Sequence, residues 1–429
     1  MIPTGMHGVG SELGGEMATR TFDPLFDPAI VEEPHAYYAQ LRESDPVHRI
    51  EGTDAYLVTR PQLIRQVVGD PSLYSSRTSE FLGLTETGTP ALRSPAFNTP
   101  DDETLAVLAT ADPPDHTRQR KVLSRVLSTA TINAREDEFR SLIDGALNKP
   151  LQQGRVEWMS DIAEPLPMVM VSRLLGLPDS DVAALKEQGY ASVEQIGGFV
   201  PEDRRAVLLD KMMELGPVIE GFAVARASDH PNPATLIGVC ATAVRNGYLD
   251  EMEALGILGL ILSAGGESTT SLLGTGVRIL AEQPELQDRL RQQTDLIAAF
   301  VEETCRVEPP FRGHYRRVVT DTTLGGVELP SGSRLVLVWP AANRDLEGCN
   351  QPEQIDVDRP NPRQHLGFGW GIHLCIGAPL ARLEARVTFE QLLARTSSFS
   401  VEASPDALRH HRSLMVRRLV ELPLTLQPR

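Results

Sequence analysis

Residues 368–377 read Phe368-Gly369-Trp370-Gly371-Ile372-His373-Leu374-Cys375-Ile376-Gly377, and this stretch decides the fold. With residues at average usage, its Phe, Gly, Gly, His, Cys and Gly fall at these spacings on the order of once in a million times. The composition has a chemical use. A thiolate that ligates iron must stay accessible to the metal, and small glycines let the backbone fold around the sulfur and aim amide N–H groups at it. Ala378 to Leu393 follow with the pattern of an amphipathic helix. Cys375 therefore stands at a helix N-terminus, where the positive end of the dipole favours thiolate over thiol.

The rest of the chain sets the frame. Its 429 residues carry 41 Lys+Arg and 58 Asp+Glu, a formal net charge of -17. That balance argues against broad nucleic-acid binding and for a self-repelling, soluble surface. Cys240, Cys305, Cys349 and Cys375 form no C-x-x-C pair and no disulfide framework, which suits a reducing cytoplasm. No run of about 18 apolar residues occurs, so no membrane anchor is expected. Residues 1–20 read as a disordered leader and 21–429 as one domain. From about 115 to 300 the pattern is mainly helical, with short strands such as Ala55–Thr59 and Arg334–Trp339 near both ends. Residues 80–114 show few regular signals, and loops of that length are often binding loops.

One helix stands out. Asp250 and Glu253 resemble a capping box, and no proline follows until Pro284, so a helix of about 33 residues is expected. Its apolar middle means burial. Within it, Gly265-Gly266-Glu267-Ser268-Thr269-Thr270 makes a poor helix interior. Either the glycines permit close helix packing with Glu267 at a solvated edge, or the segment is a site.

Taken together, the cysteine stretch and these segments resemble the cytochromes P-450, over nearly the whole chain after the leader. The resemblance implies a mainly α fold with smaller β-sheets, a triangular, prism-like single domain around a buried haem b. It makes Cys375 the axial ligand of the haem iron, with Phe368 beside the sulfur and Gly369 and Gly377 in the haem-binding loop. His373 matches a propionate contact, as do His116 and Arg120 of Asp115-His116-Thr117-Arg118-Gln119-Arg120, and Arg316. Glu303-Thr304-Cys305-Arg306 matches the family's E-x-x-R; with Arg359 it is expected to form a buried scaffold. Ala342-Asn343-Arg344-Asp345 matches a recurrent structural stretch. Ala264 and Gly265 match the segment that crosses the distal haem face, where helical hydrogen bonding is expected to loosen. Glu267 takes the acid position there. Ser268 takes the alcohol position, where the family usually has Thr, and Thr269 is the alternative hydroxyl.

The implied activity is insertion of one atom of O2 into a hydrophobic organic substrate. Electrons would come from NAD(P)H through a ferredoxin reductase and a ferredoxin, because one haem domain fills the chain. Arg118, Lys121 and Arg125 are candidate docking cations, or ordinary solvated charges. The expected pocket roof comprises the 80–110 loop, residues near 190–205, Pro310 to His314, and Leu414-Met415. Arg312 and His314 would meet a polar group of the substrate or face solvent. A peroxide-driven peroxygenase and a non-catalytic haem sensor remain the alternatives on the same fold.

Overall fold

The computed structural model describes residues 22–94, 101, 103–346, 349–402, 404 and 408–429; the expected leader lies outside them. The long helix runs from Glu251 to Glu282. Its start is the expected capping box: Asp250 accepts from the Glu253 amide at 2.7 Å, and Glu253 accepts from the Asp250 amide at 2.9 Å. Pro284 opens the next helix, so the chain must leave the first one at Gln283. At about 1.5 Å per residue the helix is about 48 Å long and passes through the molecule. Ile257, Leu258, Leu262, Leu272, Leu273, Val277 and Leu280 are buried along it.

The helix is unbroken across the glycine pair, so the expected loosening does not interrupt it. The glycines serve packing instead. A Cβ on Gly265 would lie 2.5 Å from Val171 Cγ2, and one on Gly266 2.2 Å from Met168 Sδ. Both partners belong to the helix Pro165–Leu175, which could not approach so closely past any larger residue.

Helices dominate, and the described residues hold four small sheets. The largest has the strand order Val47–Arg49, Ala55–Val58, Arg334–Val338, Gly313–Val318, Tyr74–Ser75. Ala55–Val58 and Arg334–Val338 pair in parallel and are buried at every residue, as continuous apolar runs in parallel sheets are. Residues 80–114 contain more order than expected. Phe81–Leu84 and Pro90–Arg93 form a hairpin, and Leu108–Thr110 one short helical turn. Residues 95–100 and 102 lie outside the described chain.

Candidate active site

The cysteine loop is shaped by two left-handed glycines, Gly369 at φ 74° and Gly371 at φ 68°, a backbone region that side chains disfavour. Gly369 N–H donates to Leu366 O at 2.8 Å, and Cys375 N–H returns to Phe368 O at 2.8 Å. The helix Ala378–Arg395 begins three residues after the cysteine. Burial pushes the Cys375 thiol up, while the backbone amides of Gly377 and Ala378 and the charges of Arg120 and Arg382 pull it down. The helix dipole acts in the expected direction, but desolvation outweighs it. An iron ion at the sulfur would reverse that balance, because a coordinating thiol is deprotonated. Cys375 is nevertheless accessible, while Cys240 and Cys305 are buried and Cys349 is intermediate. Phe368 is half-buried, with the Arg382 guanidinium 4.3 Å over its ring.

The structure brings the four proposed propionate contacts together. His116 and His373 stack with ring centroids 4.2 Å apart, Arg120 donates to the Leu374 carbonyl at 2.6 Å, and Arg316 is buried. Burial lowers both imidazoles, and Arg316, His116, Arg120 and His314 help push His373 down to about 2. Burial also brings Arg316 down to about 10. His116 Nδ1 has no partner among the described residues. Asp112 is the carboxylate that acts on His116 and Arg316, and it accepts from the Ser75 hydroxyl and from Ser76 N–H at 2.8 Å. Converging, mutually repelling donors with one occupied carboxylate nearby fit a dianion such as a pair of haem propionates.

Scaffold residues hold the loop in place. Glu303, fully buried, takes Arg306 at 2.7 and 2.9 Å, Arg359 at 2.9 Å and Asp356 N–H at 3.0 Å, which completes the expected charge triad. Asn343 of the matched structural stretch accepts from Leu366 N–H at 2.6 Å. The sequence reading missed Glu302. It receives Arg382 at 2.7 and 3.0 Å and His365 at 3.0 Å, which fastens the cysteine helix and the loop to the E-x-x-R helix.

On the long helix, the Ser268 hydroxyl donates back to the Ala264 carbonyl at 2.8 Å, a local bond open to Ser and Thr. Ala264 is exposed, Gly265 and Ser268 are intermediate, and Thr269 is buried. Glu267 does not sit at a solvated edge. It is buried and accepts from Arg418 at 3.0 Å, and Arg418 also holds Glu164 at 2.9 Å. Burial raises the Glu267 carboxyl despite that partner, and its second oxygen has none among the described residues. Arg418 was not foreseen, nor was Tyr190, which meets the Thr270 hydroxyl at 2.9 Å.

Comparison with known proteins agrees with this geometry. Residues 223–418 match the family model described as Cytochrome P450. The protein described as "Cytochrome P450 144" from Mycobacterium tuberculosis is 40% identical over 404 residues, covering 94% of this chain and 91% of that one. The chain belongs to the cytochrome P450 family. Vitamin D(3) 25-hydroxylase of Pseudonocardia autotrophica is 31% identical, covering 94% of this chain and 96% of that one. Among solved structures, CalO2 superposes with a TM-score of 0.81 at 25% identity, covering 95% of this chain and 99% of that one. PksS of Bacillus subtilis gives 0.81 at 27% identity, with 93% and 98% covered. This P450 is thus a haem oxidoreductase of the monooxygenase type, and it works with O2, a redox partner and a substrate. No helix among the described residues is long and apolar enough to cross a membrane.

Distant segments expected to form the pocket roof lie against one another. Leu84 N–H donates to Gly198 O at 2.9 Å, Leu414 N–H to Gly197 O at 2.8 Å, and Arg93 pairs with Glu202 at 2.6 Å. Arg312 does not face solvent, and His314 is half-buried. Arg312 is buried, and His314 accepts from Trp339 Nε1 at 2.7 Å, with burial lowering it to about 4. Arg118 is no free docking cation either. It bridges Glu253 at 2.5 Å and Asp115 at 2.9 Å, while Lys121 and Arg125 are exposed.

Proposed function

We propose that Cys375 is the axial ligand of a haem b in a single haem domain spanning 21–429. In this reading Phe368, Gly369 and Gly377 form its proximal cradle, and Ala264 and Gly265 lie along its distal side. His116, Arg120, Arg316 and His373 receive its propionates. The observation that carries the reading is one accessible cysteine at a helix N-terminus beside a converging cluster of otherwise unneutralised donors. Bound haem supplies O2 activation, with one oxygen atom entering a hydrophobic substrate and the other leaving as water after two electrons and two protons arrive. The chain's own part is to hold a proton at the Glu267 carboxyl, present the Ser268 or Thr269 hydroxyl beside it, and exclude water under the roof. Electrons come from NAD(P)H through a reductase and a ferredoxin in the cytoplasm. The test is the ferrous–CO spectrum. The parent protein shows the thiolate-type band, while Cys375→Ala and Cys375→His lose it and changes at Cys240, Cys305 or Cys349 do not. Retention of the band in either Cys375 variant would remove the cysteine from the role.

A further inference from the structure

We infer that the substrate carries an anionic head, a carboxylate on an elongated apolar body, and that Arg312 receives it. The inference rests on the monooxygenase reading above and names the substrate class for it. Arg312 sits just before the strand Gly313–Val318 and is 4% exposed. It borders a small pocket whose other walls are apolar or aromatic, among them Leu57, Leu82, Tyr315, Val336 and Leu414.

The guanidinium is held in place but not neutralised. Its Nη2 donates to the Val31 carbonyl at 2.7 Å, and its Nε has no acceptor among the described residues. Tyr38 is a further side-chain partner, and the Glu308 charge that acts on Arg312 is shared with Arg417 at 2.8 Å and His35 at 2.8 Å, while Glu32 is paired with His410 at 2.6 Å. Arg417 adds a second positive charge close by, and burial lowers the Arg312 guanidinium. An arginine stays charged in a protein, so an anion entering the cavity offsets a desolvation cost already present in the fold. A carboxylate suits the planar N–H fork, and the apolar walls suit the body behind it. Leu414 on that wall leads within four residues to Arg418, which holds Glu267 on the long helix.

A role confined to tethering Val31 predicts no preference for acids. Binding to the ferric holoenzyme is read by the shift of the Soret band and separately by calorimetry, using hexadecanoate and its methyl ester. The acid is expected to bind about tenfold or more tightly than the ester. Arg312→Gln should bring the ratio to about one, and Arg312→Lys should keep part of it, with imidazole binding to the iron unchanged in both. Equal affinity for acid and ester in the parent protein overturns the inference whether or not the variants fold, and so does an unchanged ratio in Arg312→Gln. Loss of the thiolate-type CO band from the parent would strike the monooxygenase reading instead, and the calorimetric ratio would still decide the role of Arg312.

Discussion

The Ser268 hydroxyl is bonded within its own helix, to Ala264, and serine has more χ1 freedom than threonine to leave that bond. Ser268→Thr is therefore expected to raise the product formed per NAD(P)H, and Ser268→Ala to lower it with more peroxide released. Thr269→Ala, measured with the same substrate, decides between the neighbours. Unchanged coupling in the serine variant, with collapse in the threonine one, would move the role to Thr269. The residue types of this segment were legible because acid, hydroxyls and glycines break the local rules of a buried helix. The partner of the acid was not. Arg418 reaches Glu267 across 151 positions, and a pairing over that separation leaves no periodic trace in the chain.

Elements show the same division between local and distant causes. The long helix was readable to within a residue at its start because a capping box and a following proline are local signals. The hairpin at Phe81–Arg93 was not, since its strands are short and rest on contacts such as Leu84 with Gly198. Packing gives a paired test of two helical glycines. Gly266→Ala drives a methyl into Met168 and should cost about 1–3 kcal/mol. Gly145→Ala meets nothing within 4 Å on an exposed helix position and should gain up to about 1 kcal/mol. Urea midpoints measure both, and a neutral Gly266→Ala would deny the close approach. The Glu302 clasp supplies a pH test. Burial pushes its carboxyl up, but hydrogen bonds from His365 and Arg382 outweigh that and hold it at about 2 against an ordinary 4.5. A depressed pKa stabilises the fold above the unfolded value, and that stability fades as pH falls from about 4.5 toward 2. The contribution is on the order of 3 kcal/mol. Glu302→Gln should be less stable at pH 7 and lose less on acidification than the parent. Parallel stability–pH curves for the two proteins would refute the clasp.

At the scale of the whole molecule, a net charge of -17 sets the terms for electron delivery. An acidic donor such as a ferredoxin meets a repulsive surface overall, so productive docking depends on local cations near the cysteine loop. The helix Asp115–Leu123 places Arg120 on the Leu374 carbonyl, and Lys121 and Arg125 are exposed at and just beyond its end. Arg118, one turn earlier, is occupied by Glu253 and Asp115 and joins this helix to the start of the long one. The sequence offered these cations as equals, because helical spacing does not reveal which of them a distant carboxylate will capture. Their variants should therefore separate. Exchanging Lys121 and Arg125 together for Gln should raise the KM for ferredoxin several-fold, roughly the effect of losing exposed docking charges, and weaken its dependence on salt. The CO band and reduction by dithionite should stay as they are. Arg118→Gln should instead leave the ferredoxin KM unchanged and lower the urea midpoint, because it strands the half-buried Glu253. Steady-state turnover across a ferredoxin titration at two ionic strengths reads both effects. An unchanged KM in the double variant would place the docking face elsewhere, and a raised KM in Arg118→Gln would return that arginine to it.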